Sequence, residues 1–358
     1  MKICFLTLGR FSQFATSKRA TGMGESMALL GEDVRIIALD CEENRHRIKR
    51  EAPHCTAEFF KAKNPITEII RKIQILHRQS PDYVYVSSYC LRNLAFLRFL
   101  LPSKSRLIIE FCELYSAYGH RRTLWRCLEQ VAISEADVIV SASLFLQGVL
   151  RNRSDKPNLY LPYAYPSYLN PNKKVLNADG KVHVVIMVSL WKDYGIYDVI
   201  EAMEYVIKAR NNVCLDVIGG GPEKKNLENL VNDRKLMGKI NFKGYLPEDK
   251  LNDAFSIAAV FLVPMHNSIQ DRARCPSKLY YYLPYGKPIV TCRIGEPFKT
   301  LGEFGFYYKA GDVDDMGRVI VKAIDACSTF VYNDDLISEH SWDARAKTAK
   351  DWLTRDCE

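Results

Sequence analysis

The sequence lacks three patterns that would place it in a well-known class: paired cysteines, a long apolar run and clustered metal ligands. Its 11 cysteines are odd in number, and they form neither a C-x-x-C pair nor a zinc-finger cluster with histidine. We therefore expect no disulfide framework and no structural zinc, and the composition favours the reducing cytosol. No run of about 18 apolar residues occurs, which argues against a membrane-spanning helix. The opening stretch MKICFLTLGRF turns polar too soon for a signal peptide, so we expect a cytoplasmic protein.

A catalytic metal is not indicated either. Asp312-Val313-Asp314 is a D-x-D sequence, but it precedes a predicted helix, where aspartate is an ordinary N-terminal cap. The seven histidines show no arrangement with serine, cysteine or aspartate that is typical of nucleophilic catalysis. We expect no metal and no cofactor.

The excess positive charge lies in the first half of the chain. The net charge is +8, and residues 1–165 hold 24 Lys and Arg against 16 Asp and Glu, whereas the remainder holds 26 of each. A solvated basic face and attraction to an anionic partner both fit this distribution. No nucleic-acid signature accompanies the charge, so the favoured partner is a membrane with acidic headgroups at the cytoplasmic face. The densest basic patches are Arg45, Arg47, Lys49 and Arg50, and then Arg121, Arg122 and Arg126.

Short apolar runs alternate with helical patterns along the whole chain, which predicts an α/β fold. Such runs are typical of buried parallel strands. With 358 residues, two domains are expected. Residues 152–180 are rich in proline and asparagine and are interpreted as a connector. The sequence therefore predicts two doubly wound, Rossmann-like domains with parallel sheets facing a central cleft. Predicted strands are Lys2–Leu8, Val34–Leu39, Tyr83–Ser87, Leu107–Phe111, Val138–Ser141, Val182–Met187, Cys214–Ile218, Ile240–Lys243, Val260–Val263 and Ile289–Cys292.

The stretch RARCPSKLYYYLPYGKPIVT, residues 272–291, predicts a helix with a basic start. Ser277 is placed to cap the helix, and Gly286 ends it. Arg272, Arg274 and Lys278 surround the predicted N-terminus, where free N–H groups and the helix dipole favour phosphate. The alternative is that these cations pair with Asp271 or simply face water.

Three further segments carry candidate chemistry. Gly219, Gly220 and Gly221 lie between a strand and a helix, where they suit either close approach of a ligand or a tight turn. Lys192, in the loop after Val182–Met187, can reach an anion or remain solvated. Glu110 and Glu113, at the end of a buried strand, suit the orientation of an incoming hydroxyl, or else ion pairing or helix capping.

In this order, these segments resemble the GT4-like family of two-domain GT-B glycosyltransferases. The resemblance is clearest over about 183–292, in VIMVSLWKDYGIYDVIEAM, LDVIGGGPEKKNLENL, INFKGYLPEDKLNDAFSIAAVFLVP and PSKLYYYLPYGKPIVT. It implies an N-terminal acceptor domain at 1–165, a nucleotide-sugar domain at 166–340 and a closing helix at 341–358 that returns to the first domain.

The resemblance also implies an activity and a set of site residues. The reaction would be transfer of a sugar from a UDP- or GDP-linked donor to a glycan or lipid-linked acceptor, with retention and without a metal. The diphosphate would bind at the Ser277–Leu279 helix start. The implied catalytic residues are Glu113, Arg272 and Lys278, and the implied donor-binding residues are Ser189, Lys192, Tyr194, Gly219, Gly220, Gly221, Arg274, Ser277, Leu279 and Tyr281.

Four positions depart from the family pattern. Tyr281 stands where the family usually has the glutamate that grips the donor ribose, and Ala273 stands where the earlier glutamate of that E-x7-E pair would be. Ser189 and Tyr194 replace a family arginine and lysine. These changes leave open a degenerate binding or scaffold subunit as the main alternative, with a sugar-nucleotide epimerase as a weaker one.

Overall fold

The computed structural model describes residues 1–13, 17–119, 121–166, 169 and 180–355. The chain divides into two compact units. Unit 1 contains residues 1–168, 273–275 and 339–358, and unit 2 contains residues 169–272 and 276–338. The predicted connector overlaps 167–168 and 170–179, which lie outside the described residues.

Unit 1 is built on a seven-stranded parallel sheet. Its strand order is β3-β2-β1-β4-β5-β6-β7. The strands are β1 (Lys2–Leu6), β2 (Asp33–Leu39), β3 (Thr56–Phe60), β4 (Tyr83–Val86), β5 (Arg106–Phe111), β6 (Val138–Ser141) and β7 (Asn158–Tyr160). Every residue of β4 and β6 is buried, which explains why these strands are continuous apolar runs rather than alternating ones.

Five helices of unit 1 lie between these strands. They are α1 (Ser17–Leu29), α2 (Glu42–Glu51), α3 (Pro65–Gln79), α4 (Arg122–Glu135) and α5 (Leu144–Arg151). The sequence did not predict α2 or β3, because Ile48 is the only aliphatic residue in EENRHRIKRE. Glutamates in the first turn of α2 and basic residues in its last turn complement the helix dipole.

Unit 2 has a six-stranded parallel sheet with the order β10-β9-β8-β11-β12-β13. The strands are β8 (Val182–Met187), β9 (Val213–Ile218), β10 (Ile240–Gly244), β11 (Ala258–Leu262), β12 (Ile289–Cys292) and β13 (Phe306–Tyr308). The predicted doubly wound α/β architecture is therefore confirmed in each unit.

Eight helices follow or connect the strands of unit 2. They are α6 (Ile196–Ala209), α7 (Lys224–Asp233), α8 (Glu248–Ser256), α9 (Ile269–Ala273), α10 (Ser277–Tyr282), α11 (Gly295–Leu301), α12 (Val313–Ala326) and α13 (Asp334–Glu339). Asp312 caps α12 by accepting from the Asp315 N–H, as the sequence predicts. The prediction for Ser277 was wrong. Pro276 occupies the N-cap of α10, and Ser277 is the first helical residue.

The last helix, α14 (Trp342–Arg355), packs against α1 within unit 1. Lys350 donates to the carbonyl of Leu30 at 2.8 Å, and Ser26 donates to Asp343 at 2.6 Å. A Cβ on Gly22 would lie only 2.2 Å from the indole nitrogen of Trp342, so glycine is what allows the two helices to approach. Within the described ranges, no helix is long and apolar enough to cross a membrane.

Candidate functional site

The loops at the carboxyl edge of the unit 2 sheet contain most of the predicted donor-binding residues. The strand order reverses between β8 and β11, and ligands of doubly wound sheets bind beside such a switch point. Residues 188–195 follow β8, residues 219–223 follow β9, and residues 263–276 follow β11. The topology therefore brings the Ser189 loop, the glycine loop and the Arg272 segment to one edge.

The glycine loop packs directly on the backbone of the Ser189 loop. The Leu190 N–H donates to the Gly220 carbonyl at 3.0 Å. A Cβ on Gly219 would stand 2.1 Å from the Val188 oxygen, and a Cβ on Gly221 would stand 2.5 Å from the Leu190 oxygen. Loop-on-loop packing thus accounts for these two glycines, and the role of the loop toward a ligand stays a prediction.

The two loops that flank the switch point also touch each other. Gly195, at φ +71°, ends the turn after β8, and a Cβ there would meet the Pro264 side chain at 2.8 Å. Within this turn Lys192 is exposed and Tyr194 is half-buried. The Lys192 side chain therefore stands at the switch point with its ammonium open to solvent.

Arg272 is exposed at the same edge. Its guanidinium donates to the Asn267 side chain, at 2.6 Å from Nη2. The contact is with a neutral amide, so the positive charge of Arg272 is still available to an anion. Lys278, in the first turn of α10, is half-buried.

Sequence reasoning missed His266, which follows β11 at the switch point. Its Nε2 lies 3.1 Å from an Asp198 oxygen, and its Nδ1 lies 3.6 Å from Asp271. The backbone N–H of His266 also donates to Asp271. The available signal was its position directly after a buried strand. Its partner Asp198 is distant in sequence and could not be read from the local pattern.

The three tyrosines of α10 have different environments. Tyr280 is fully buried and its hydroxyl lies 3.2 Å from Thr300 Oγ1. Tyr282 accepts from the Met187 N–H at 2.7 Å and stacks on Phe261 with ring centroids 4.2 Å apart. The interpretation of Tyr280 and Tyr282 as packing residues is confirmed. Tyr281 is 7% exposed, and its role toward a ribose stays a prediction.

In unit 1, the structure brings two of the predicted site residues together, Glu113 and Arg274. Burial raises the pKa of Glu113, a hydrogen bond from Tyr118 opposes this shift, and the positive charge of Arg274 opposes it further. Arg274 is held there because Ser143 donates to the carbonyl of Ala273 at 2.6 Å. A buried carboxyl beside a guanidinium suits a group that must exchange a proton near neutral pH.

Comparisons with known proteins agree with this architecture. Residues 170–328 match the family described as "Glycosyl transferases group 1". A protein of Haemophilus influenzae named "Uncharacterized glycosyltransferase" is 20% identical over 341 residues, which cover 90% of this chain and 89% of the relative. The chain is a glycosyltransferase of the group 1 type. The resemblance stated from the sequence is therefore confirmed.

Solved structures place the glycosyltransferase in the GT-B fold. Sucrose-phosphate synthase from Thermosynechococcus elongatus matches with a TM-score of 0.78 and 16% identity, over 100% of this chain and 99% of that one. Anabaena HepE in complex with UDP and glucose matches with a TM-score of 0.78 and 14% identity, over 99% of both chains. The lipopolysaccharide galactosyltransferase WaaB matches at 0.68 and 12%, over 99% of this chain and 100% of that one.

Glu110 of the glycosyltransferase has a structural environment. Arg19 and Glu110 are both 0% exposed, and the guanidinium contacts one carboxylate oxygen through Nε at 2.9 Å and also through Nη2. The Tyr85 hydroxyl lies 3.3 Å from the other oxygen. For Glu110 the ion-paired alternative is confirmed.

A second polar cluster lies near the beginning of β8 and β9. Among the described residues, His183, Cys214 and Asp216 form the one group of such side chains whose ligand atoms converge within 4.8 Å. His183 Nδ1 is 2.7 Å from Asp216, which also accepts from Asn241 at 2.9 Å and lies 3.3 Å from the Lys243 ammonium. Two cations and an amide already satisfy this carboxylate, so the cluster is best described as an ion-pair network.

Proposed function

We propose that this enzyme transfers a sugar from a UDP- or GDP-linked donor to a glycan or lipid-linked acceptor in the synthesis of cell-surface polysaccharide or glycan. The supporting observation is the switch-point edge of unit 2, where Lys192 and Arg272 stand exposed above glycine-mediated loop packing. Solved GT-B structures are complexes with UDP-glucose in HepE, and with UDP and alpha-GlcNAc-glycerol in TarM of S. aureus.

The leaving diphosphate is assigned to the cations around α10. As the glycosyl bond breaks, negative charge builds up on the diphosphate, and preorganised positive groups stabilise that charge most. Arg272 and Lys278 supply this charge, with Ser277 and Leu279 adding backbone N–H groups. Arg274 is assigned to the same phosphates. The reaction then needs no metal and retains the anomeric configuration.

The rest of the donor is assigned to the loops after β8 and β9 and to α10. Ser189, Lys192 and Tyr194 contact the nucleotide from one loop, and the glycine turn, Gly219 to Gly221, lets it approach the backbone. Tyr281 contacts the ribose or stacks on the base. The acceptor hydroxyl is oriented by Glu113, whose raised pKa favours proton exchange.

The test is a panel of UDP- and GDP-sugars with purified enzyme, read as donor hydrolysis or transfer. Arg272→Ala and Lys278→Ala should each abolish activity. Arg210→Ala is the matched control, because Arg210 is an exposed arginine of unit 2 that pairs with Asp325 away from these loops. Full activity in both site variants would remove the proposed diphosphate site.

A catalytically degenerate binding or scaffold subunit is the second candidate. The observation in its favour is Ala273, at the position of a family glutamate, which is 0% exposed in a small apolar cluster with Leu114 and Leu146. Thermal shift separates the candidates. A nucleotide at 100 times its Kd stabilises by about 2.7 kcal/mol. A shift without turnover supports the binding subunit, and no shift with any nucleotide or nucleotide sugar supports the scaffold.

A peripheral location at the cytoplasmic membrane face is part of the proposal. Its basis is the +8 net charge of the chain, all of it carried by residues 1–165. Lipid-linked acceptors lie in bilayers, so an enzyme that binds the bilayer surface meets them by diffusion in two dimensions.

A further inference from the structure

Helix α4 has an apolar stripe on each of two faces. The inner face buries Ala132 and Ile133 against the sheet. The outer stripe consists of Leu124, Cys127, Leu128 and Val131, at the i, i+3, i+4, i+7 spacing of one helix face. Leu124 is 50% exposed and Val131 is 42% exposed. A surface helix of a globular protein needs one apolar stripe, so the outer stripe requires another explanation.

Three exposed arginines accompany the outer stripe. Arg121, Arg122 and Arg126 lie at the start of α4 and make no ion pair among the described residues. Both carboxylates of α4 are turned to other partners. Glu129 is fully buried and accepts from Ser116 and Arg153, and Glu135 accepts from the Arg98 N–H. The outward charge of α4 is therefore entirely positive.

The other basic patch of unit 1 differs in this respect. In and beside α2, Arg45 pairs with Asp40 at 2.7 Å, and both Arg47 and Arg50 pair with Glu51 at 2.7 Å. The charges of these arginines are largely neutralised inside the protein. Of the two patches that the sequence singled out, α4 is the one with unpaired arginines.

An exposed aromatic residue adjoins the far end of α4. Phe99 is 78% exposed. Its neighbour Arg98 donates its backbone N–H to Glu135 at 3.0 Å and its side chain to Asp137 at 2.9 Å. These two bonds fix the Phe99 segment beside the last turn of α4.

We propose that the outer stripe of α4, with its three arginines, is the surface by which this enzyme binds an anionic lipid bilayer. An apolar strip beside arginines matches an interface where acyl chains begin beneath acidic headgroups. A symmetric contact with a second copy fits less well, because the outer face of α4 carries no carboxylate to meet the arginines of the other copy. The inference deepens the proposed function and rests on it for the lipid-linked acceptor.

The test measures binding of the full-length protein to vesicles by flotation, with phosphatidylcholine alone or mixed with phosphatidylglycerol. We expect binding only to the mixed vesicles, and weaker binding at high salt. The variant Arg121→Gln/Arg122→Gln/Arg126→Gln should bind roughly 100-fold more weakly, given about tenfold or less per charge. The variant Leu124→Ser/Val131→Ser should also bind more weakly. The matched control is Lys208→Gln/Lys225→Gln/Lys322→Gln, which removes three exposed charges from unit 2 and should bind like the wild type.

Three outcomes would overturn the inference. They are equal binding of the arginine variant and the wild type, equal binding to vesicles without phosphatidylglycerol, and a dimer that Leu124→Ser/Val131→Ser converts to a monomer. Donor hydrolysis in vesicle-free buffer is measured in parallel. Because the α4 side chains are exposed, hydrolysis and the thermal midpoint should be unchanged in the variants. Absence of hydrolysis in the wild type would contradict the proposed function and leave the vesicle result to be read by itself.

Discussion

Unit 1 encloses ionised side chains in its interior, whereas unit 2 leaves cations open at the carboxyl edge of its sheet. Arg19 and Glu110 face each other at 0% exposure in unit 1, and Lys72 is buried beside Glu68 at 2.9 Å. In unit 2, Lys192 and Arg272 are exposed in loops beside the switch point. Both arrangements place charge near the ends of buried strands, but they differ in whether a protein carboxylate has already claimed it.

The difference separates structure from function within one family of folds. A buried pair that lost one partner would leave an uncompensated charge, so it is held for the fold. An exposed cation without a carboxylate costs the fold little and can neutralise a ligand. Removing charges of each kind should therefore give opposite patterns of stability and binding.

The largest expected effect is the loss of Arg19. Arg19→Met leaves the Glu110 carboxylate buried without its cation and should lower the free energy of unfolding by about 3–5 kcal/mol. Urea denaturation measures this change. The matched control is Arg210→Ala, which breaks an ion pair whose side chains are 45% and 51% exposed, and should cost less than about 1 kcal/mol.

A double variant sharpens this prediction. Arg19→Met/Glu110→Leu replaces both charges with apolar side chains and should recover much of the lost stability. If the single and double variants were equally destabilised, packing against Tyr163 and Trp342, rather than the buried charge, would be the cause.

The second effect concerns the loop packing that presents the cations of unit 2. Gly219 has φ +128°, and a Cβ there would lie 2.1 Å from the Val188 oxygen, so Gly219→Ala should destabilise on the order of 3 kcal/mol. Gly238 has φ +74° with open space around it, and Gly238→Ala should cost only about 1 kcal/mol. Urea unfolding of the two variants compares a clash with backbone strain alone. Equal losses would show that contact with the Ser189 loop is unimportant.

The third effect is a pH dependence within unit 2. Hydrogen bonding to Asp216 and then to Cys214 raises the pKa of His183 to about 10, from an ordinary 6.5. The folded state binds this proton more tightly, so the stabilisation is complete below about pH 6.5 and is lost as pH rises toward 10. The pKa of Asp216 is lowered, chiefly by His183 and Asn241 against its burial, so its contribution is lost only in acid.

His183→Gln tests this pH dependence directly. The wild type should exceed the variant by on the order of 2 kcal/mol near pH 6, and this difference should shrink toward pH 10. Urea unfolding of both proteins across this range gives the difference curve and cancels other titrating groups, including Lys243. A difference that stays constant with pH would show that His183 is uncharged in the folded protein.

The strand positions could be predicted from the sequence because burial on both faces leaves a continuous apolar run. Val138–Ser141, Val182–Met187 and Ile289–Cys292 were predicted with the bounds that the structure gives. The three-residue strand Phe306–Tyr308 was too short to show such a run, and α2 had almost no apolar residues to reveal its period. Local pattern reports burial, and it fails where an element buries little.

Side-chain partners could not be predicted, because they come from distant parts of the chain. Arg19 and Glu110 are 91 residues apart, and His266 and Asp198 are 68 residues apart. The sequence therefore gave Glu110 two interpretations and gave His266 none. It also could not tell that Pro276, rather than Ser277, caps α10, since both residues suit a helix start.

The smallest expected effect on stability is at Arg272, and it completes the comparison of enclosed and open charge. Arg272 is exposed and contacts only the neutral Asn267 side chain, so Arg272→Gln should change the free energy of unfolding by less than about 0.5 kcal/mol. The same variant should lose most of the thermal stabilisation that a nucleoside diphosphate gives the wild type. Arg210→Gln should keep it. A large loss of stability in Arg272→Gln would mean that this arginine serves the fold, as Arg19 does, and the diphosphate would then have to be held by other cations of the same edge.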